Sequence, residues 1–212
     1  MNISRLDFAH LPAPIEALSR LSEALDGPRL LIKRDDQTGL AFGGNKTRKL
    51  EFLVAEAREQ GANTLISGGA LHSNHCRQTA AATARLGFKC ILVLTGDKPQ
   101  QASGNFLLDQ LFGAEIVYVA DRKDRDRILR ETFDGATNDG KKPYLSPYGG
   151  SNGTCAFGYA FPMKELIDQN VDADWIVFAT SSDGTHAGLL LRQRIFGFSG
   201  RILESALMLV TG

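Results

Sequence analysis

Short apolar segments alternate with longer segments of helical periodicity along this 212-residue chain, and that alternation most limits its fold. The clearest examples are apolar runs at 64–67 and 90–94, separated by an alanine-rich helical segment at 73–86 that Gly87 ends. Strands that alternate with helices over short connections form a mainly parallel sheet covered by helices. The sequence therefore predicts an α/β fold. The same patterns predict further strands at 30–33, 115–119, 144–146, 175–179 and 201–209, and further helices at 45–60, 105–112, 122–133, 156–169 and 185–196.

Composition excludes several classes of protein. The formal net charge is zero, which gives no basic surface for nucleic acid, and the longest apolar runs are too short to cross a bilayer. The N-terminus lacks a basic region followed by a long apolar core, so no signal peptide is predicted. The three cysteines and four histidines have neither disulfide nor metal-ligand spacing. We expect a cytoplasmic protein that binds no metal, membrane or nucleic acid.

The segment GGNKTRKLE at 43–51 carries the strongest chemical signal. It places Lys46 just after two glycines, which let a backbone pass close to a flat ligand, and at the start of a predicted helix. A lysine amine condenses with an aldehyde to a Schiff base, which is how proteins hold pyridoxal phosphate. The alternative is that Lys46, Arg48 and Lys49 form a solvated basic face of the helix.

Four segments in register carry a resemblance to a known family. Residues 43–51, preceded by IKRDD at 32–36, resemble pyridoxal-phosphate enzymes of the D-cysteine desulfhydrase and 1-aminocyclopropane-1-carboxylate deaminase family. The segments GALHSNHCRQT at 69–79, PYGGSN at 147–152 and GTHAG at 184–188 agree in order and spacing. The resemblance covers about residues 30–191 and is far more specific than a single glycine motif.

The resemblance implies a fold-type II pyridoxal-phosphate enzyme, similar to the tryptophan synthase beta chain. Residues 1–50 and 159–212 would form a large cofactor domain, and 51–158 a small inserted α/β domain, with the cofactor in the cleft between them. Enzymes of this family are longer, and the likeness fades after Leu191. We therefore expect the large domain to be incomplete, and cofactor binding and turnover by this chain to be weak.

The resemblance also assigns roles near two helix starts. It implies that Lys46, and not Lys49, carries the cofactor and exchanges a proton with the substrate α-carbon, with Asn45 beside it as a cofactor-binding residue. The free N–H groups at 73–75 can bind a carboxylate. Here the resemblance implies that Ser73 acts in catalysis, and that Ser73 and His75 contact the substrate. It implies that Asn74 bonds the cofactor's ring hydroxyl and also lies by the substrate. Alternatively, Ser73 and Asn74 only cap the helix, and His75 is an ordinary surface or core histidine.

A turn rich in hydroxyl groups precedes the predicted helix at 185–196. Hydroxyls and backbone amides at such a turn can form a phosphate cup, and by position this is the family's phosphate loop. Two residues depart from the family, because Ser181 stands where glycine is common and Asp183 where a small neutral residue is common. A carboxylate beside a phosphate is repulsive, so weak phosphate affinity is an open alternative. The predicted phosphate-binding residues are Thr180, Ser181, Ser182, Gly184 and Thr185.

The turn at 149–152 lies by the substrate in the family, which implies that Tyr148 or Ser151 contacts the bound amino acid; a plain turn is the alternative. The implied reaction is α,β-elimination from a small amino acid, giving pyruvate, ammonia and sulfide from D-cysteine. The sequence SNH at 73–75 resembles the desulfhydrase branch, whereas GLAF at 39–42 resembles the deaminase branch, and L-cysteate sulfo-lyase is a third relative. The family likeness suggests a homodimer.

Two other classes of protein are alternatives to this enzyme family. A truncated, non-catalytic relative is favoured by the altered phosphate loop and opposed by the intact lysine and SNH motifs. A dinucleotide-binding fold is disfavoured, because no G-x-G-x-x-G opens a helix after the first strand.

Overall fold

The computed structural model describes residues 4–150, 153–180 and 184–206 of the chain. Helices and strands alternate along most of these residues, so the predicted α/β class is confirmed. The strands are β1 Ile15–Ala17, β2 Leu31–Lys33, β3 Thr64–Ala70, β4 Lys89–Thr95, β5 Glu115–Val119, β6 Pro143–Leu145, β7 Trp175–Thr180 and β8 Arg201–Ala206. The helices are α1 Ser19–Ala24, α2 Lys46–Glu59, α3 Asn74–Leu86, α4 Gly104–Leu111, α5 Arg125–Asn138, α6 Gly153–Asp168 and α7 Gly184–Phe196.

A four-stranded sheet in the order β5-β4-β3-β6 forms the centre of residues 64–145, and its strands are all parallel. Its two faces are covered by different helices. Ile66 and Ile91 pack with Leu129 of α5 on one face. On the other face, Leu65 packs with α2 and α3, while Leu92 packs with α3 and α4. Burial on both faces explains why the inner strands are continuous apolar runs rather than alternating ones.

Two smaller sheets complete the described strands. β7 and β8 pair in parallel, and their inner face packs on Tyr159, Met163 and Leu189 of α6 and α7. β1 and β2 form an antiparallel pair. β2 lies within the strand predicted at 30–33, whereas β1 was not predicted. None of the helices in the described parts is long and apolar enough to cross a membrane.

Helix α5 differs most from its predicted bounds. It begins at Arg125 because residues 122–124 form a 3-10 turn, which the Asp121 carboxylate caps by accepting from the Lys123 N–H at 3.0 Å. It continues five residues past the predicted end at 133. The buried Ala136 packs against the central sheet, and this contact stabilises the additional turn despite the low helix propensity of Gly135.

Candidate active site

A tight turn at 39–44 delivers the chain to Lys46, the first residue of α2. Gly43 has a φ of +72°, and a Cβ there would lie 2.0 Å from the Asp36 carbonyl oxygen. Ala41 and Phe42 also have positive φ, at 48° and 67°, which L side chains rarely adopt. Consecutive unfavourable backbone conformations persist only where the surroundings impose them, and they concentrate at functional sites.

Side chains from α3 hold this turn. The Gly43 carbonyl oxygen accepts hydrogen bonds from Arg77 Nη2 and Gln78 Nε2, both at 2.6 Å. Thr38 Oγ1 accepts from the Gly44 N–H at 2.9 Å and lies 2.8 Å from the Gly44 carbonyl oxygen. The start of α2, and with it the half-buried Lys46, is therefore fixed relative to α3.

The charged side chains that follow Lys46 are buried, so the alternative of a solvated basic face is wrong. Arg48 is 1% exposed and Lys49 is fully buried. Arg48 donates to Glu165 Oε1 at 2.6 Å and Oε2 at 3.0 Å, and to Asp35 Oδ1 at 2.9 and 3.1 Å. Burial acts to lower the pKa of Arg48, but the hydrogen bonds and charges of Glu165 and Asp35 outweigh it and raise that pKa. The guanidinium is a permanent cation that joins α2 to α6.

Lys49 and Tyr159 extend this contact between the helices. Lys49 Nζ lies 5.6 Å from the centroid of the Tyr159 ring and 3.5 Å from the Gly149 carbonyl oxygen. The Tyr159 hydroxyl donates to Asp35 Oδ2 at 3.0 Å and also bonds the side chain of Asn45, the N-cap residue of α2. Burial and the Asp35 charge raise the pKa of Tyr159, so its hydroxyl remains a donor. Asn45, predicted to bind cofactor, is thus oriented by α6.

The second predicted cluster opens α3. Ser73 caps the helix by accepting from the Cys76 N–H at 3.3 Å, so its capping role is confirmed. Asn74 is exposed and its Oδ1 accepts from Asn105 Nδ2 at 3.0 Å. The start of α3 follows the carboxyl end of β3, which is where ligands bind in parallel sheets, and the helix dipole there favours an anionic group.

His75 is 2% exposed and lies against β3. Its Nε2 is 3.0 Å from Ser67 Oγ, which itself donates to the Ser146 carbonyl oxygen at 3.1 Å. Since the serine proton is committed to Ser146, the histidine donates from Nε2, and Nδ1 is a buried acceptor with no partner among the described residues. Burial, followed by the charges of Lys46 and Lys49, lowers the pKa of His75 to about 3. The ring is therefore neutral, and both lysine amines are near it.

The remaining predicted residues lie in two other places. Tyr148 opens a 3-10 turn after β6, and the Arg125 guanidinium carbon lies 4.1 Å from its ring centroid. Thr180 ends β7, and Gly184 with the buried Thr185 opens α7, which is the strand-to-helix arrangement predicted for a phosphate loop. Ser151, Ser181 and Ser182, as well as Asp183, lie outside the described residues.

Sequence reasoning missed the residues that support these groups. No sequence pattern assigned a role to Arg77, which bonds the Gly43 turn, to Asn105, which bonds Arg77, or to Glu165, which bonds Arg48. Their partners are 28 to 117 residues away in sequence, so no local pattern signals them. Among the residues the structure describes, no group of histidine, cysteine or acidic side chains could hold a metal ion.

Comparison with known proteins gives a consistent result. The family model described as "Pyridoxal-phosphate dependent enzyme" matches residues 6–194. The chain is similar to a D-cysteine desulfhydrase of Yersinia enterocolitica, at 46% identity over 193 residues that cover 87% of this chain and 58% of the relative. It is also similar to a D-cysteine desulfhydrase of Serratia proteamaculans, at 44% identity over 194 residues with the same coverage.

Two solved structures share the fold. The crystal structure of an ACC deaminase homologue matches with a TM-score of 0.89 and 36% identity, over 95% of this chain and 63% of that chain. A pyridoxal 5'-phosphate-dependent aspartate racemase matches with a TM-score of 0.70 at 21% identity, over 91% of this chain and 56% of the racemase, which supports the fold alone. The chain spans 58% of the length of the curated relatives it matches.

Proposed function

We propose that this chain, which belongs to the family of pyridoxal-phosphate dependent enzymes, holds pyridoxal phosphate on Lys46 and serves α,β-elimination on D-cysteine. The observation that carries the proposal is the placement of Lys46. A strained turn that side chains of α3 hold places the Lys46 amine at the start of α2. The two cations that follow it on α2, Arg48 and Lys49, are buried and paired. Relatives at 44 and 46% identity are D-cysteine desulfhydrases, which supports D-cysteine as the proposed substrate.

The described residues fit this cofactor in three respects. Lys46 supplies an amine for the aldehyde carbon. The α3 start supplies a hydrogen-bond donor for the ring oxygen in the exposed amide of Asn74, and a buried acceptor in Nδ1 of His75 for a group that carries a proton. The N-terminus of α7, at Gly184 and Thr185, supplies backbone N–H groups and a helix dipole suited to a phosphate. We propose that Ser181 and Ser182 complete this cup.

Pyridoxal phosphate, when bound, stores the electron pair that remains when the substrate α-proton leaves. In the proposed reaction Lys46 accepts that α-proton. The carbon–sulfur bond then breaks, sulfide leaves with its electron pair, and hydrolysis of the remaining product gives pyruvate and ammonia. Ser73, Asn74 and His75 are proposed to contact the substrate, together with Tyr148 and Ser151. The substrate carboxylate would be bound by donors, namely the Ser73 hydroxyl and the backbone N–H groups at the start of α3. His75 is neutral, since its pKa is about 3, and its Nδ1 is an acceptor, so it would contact a substrate group that carries a proton.

A deaminase activity on 1-aminocyclopropane-1-carboxylate is the second candidate. It is favoured by the TM-score of 0.89 to the ACC deaminase homologue and by the GLAF segment at 39–42. L-cysteate is a third substrate to test. We further propose a division into a large domain of residues 1–50 and 159–212 and a small domain of 51–158, a homodimeric state and a cytoplasmic location.

The decisive experiment is reduction of the purified chain with borohydride after incubation with pyridoxal phosphate, followed by peptide mass mapping. We expect label on Lys46, its loss in Lys46→Ala and its retention in Lys89→Ala, a lysine exposed at the start of β4. Release of sulfide from D-cysteine, but not L-cysteine, would support the proposed substrate. Label spread equally over surface lysines would contradict the assignment of Lys46. Specific label without turnover of any tested substrate would favour a non-catalytic relative.

A further inference from the structure

Asn105, the second residue of α4, joins the two predicted parts of the site. Its Oδ1 accepts from Arg77 Nη1 at 3.0 Å. Its Nδ2 donates to the His72 carbonyl oxygen at 2.6 Å and to Asn74 Oδ1 at 3.0 Å. Arg77 in turn donates to the Gly43 carbonyl oxygen at 2.6 Å. One side-chain amide therefore connects the start of α3 with the turn that carries Lys46.

The chemistry of the partners fixes the orientation of this amide. A guanidinium has only donors and a backbone carbonyl oxygen has only acceptor sites. The Asn105 oxygen must therefore face Arg77, and its NH2 group must face His72 and Asn74. Both protons of that NH2 group are used, one for each acceptor.

The orientation of the Asn105 amide also fixes the orientation of the Asn74 amide. Because Asn105 presents a proton, Asn74 must turn its oxygen toward α4. The NH2 group is then the part of the Asn74 side chain that can meet a ligand. Asn74 is exposed at the first position of α3, so a ligand can reach it.

We infer that Asn105 is a positioning residue that sets Asn74 as a hydrogen-bond donor toward the ring oxygen of bound pyridoxal phosphate. The inference rests on the proposed function. That ring oxygen carries negative charge when the cofactor is ionised, so it binds a donor and repels an acceptor. A reversed Asn74 amide would place oxygen against oxygen and weaken binding.

Asn105→Asp tests the inference because it reverses one contact and keeps another. One carboxylate oxygen still accepts from Arg77, whereas the other now faces Asn74 and the His72 carbonyl oxygen. Asn74 must rotate to donate to the new carboxylate, and its own oxygen then faces the cofactor. We expect the dissociation constant of pyridoxal phosphate, measured by fluorescence titration without substrate, to rise about 10- to 100-fold. The absorption band of the bound cofactor should shift as well.

The effect must depend on Asn74. In an Asn74→Ala background, adding Asn105→Asp should change the dissociation constant by less than about twofold. Gln110→Glu, an exposed change of the same charge on α4, is the matched control and should have little effect. Asn105→Ala lets the Asn74 amide rotate but does not reverse it, so it should weaken cofactor binding less than Asn105→Asp does. It replaces Asn105→Asp in the test if the aspartate variant does not fold.

Two results would overturn the inference. One is an equal loss of affinity from Asn105→Asp with and without Asn74, which would show a general charge effect. The other is unchanged affinity in Asn105→Asp when Asn74→Ala binds weakly. Borohydride labelling of the wild type separates these results from failure of the proposed function. Absence of label on Lys46 refutes that function, whereas intact label with an unaffected Asn105→Asp variant refutes only the role of Asn105.

Discussion

Asp109 on α4 is a buried carboxylic acid that should make the stability of this chain depend on pH. It has no exposed surface, and both carboxylate oxygens lack a hydrogen-bond partner among the described residues. Burial raises its pKa to about 7, against a smaller opposing effect of the Arg77 charge. The group is therefore protonated in mildly acid solution and becomes a buried anion as the solution becomes alkaline.

The size of the effect follows from the two pKa values. A carboxyl with a pKa of about 7 when folded and about 3.9 when unfolded binds its proton more tightly in the folded state. The free energy of unfolding therefore falls as pH rises from about 4 to about 7, and the loss is complete above that range. Linkage gives a loss of about 1.5 kcal/mol at pH 5 and about 4 kcal/mol at pH 8. Asp109→Asn removes this titration. We expect the free energy of unfolding of this variant, relative to that of wild type, to rise by up to about 2.5 kcal/mol between pH 5 and pH 8.

Urea denaturation of both proteins at pH 5 and pH 8, followed by circular dichroism, measures this gain. Asp134→Asn, an exposed aspartate on α5, is the control and should shift the free energy of unfolding equally at both pH values. An Asp109→Asn difference that is the same at pH 5 and pH 8 would refute the reasoning, because a constant difference reflects packing and not titration.

Two substitutions test the surroundings of Lys46. Arg48→Met should lower the free energy of unfolding by about 3–5 kcal/mol in denaturation experiments, because it leaves two carboxylates without their shared buried cation. Arg34→Met removes exposed ion pairs and should lower the free energy of unfolding far less. Equal losses in the two variants would argue against the buried pairing. Gly43→Ala should lower the free energy of unfolding by about 1–3 kcal/mol more than Gly61→Ala does. Both glycines have φ near +70°, but only at Gly43 would a Cβ meet the backbone of another residue. Equal losses in the two variants would show that the turn at Gly43 can relax.

The sequence predicted the fold because its signals are local. The buried runs of β3 and β4 and the alanine-rich α3 with its serine cap each lie within about fifteen residues, where periodicity and capping rules apply. The glycine pair at 43–44 was predicted to let the backbone pass close to a flat ligand, which stays a prediction. The structure shows a different reason for Gly43, because a Cβ there would lie 2.0 Å from the Asp36 carbonyl oxygen. Boundaries were less accurate, as at α5, because burial against the sheet decided where the helix ended.

Supporting contacts of the site could not be predicted in the same way. The ion pair of Arg48 with Glu165 joins residues 117 positions apart, and the bond from Arg77 to Asn105 joins residues 28 apart. In sequence, Arg48 and Lys49 are indistinguishable from a solvated face, since charged residues usually are exposed. Only the packing of α6 on α2 shows that these charges are buried.

The burial of so much charge on α2 is itself an argument about Lys46. Arg48, Lys49 and Glu51 are all buried, and Glu51 accepts from Arg5 and from two backbone N–H groups of the N-terminal segment. Buried ion pairs are seldom more stabilising than apolar side chains of similar volume, so stability alone does not account for them. They do fix the rotation and depth of the helix, because each partner comes from a different segment. We infer that the network holds the first turn of α2 in place, and with it the Lys46 amine. If so, the Arg48→Met variant should label poorly with pyridoxal phosphate even at temperatures where it remains folded, and full labelling there would contradict this role.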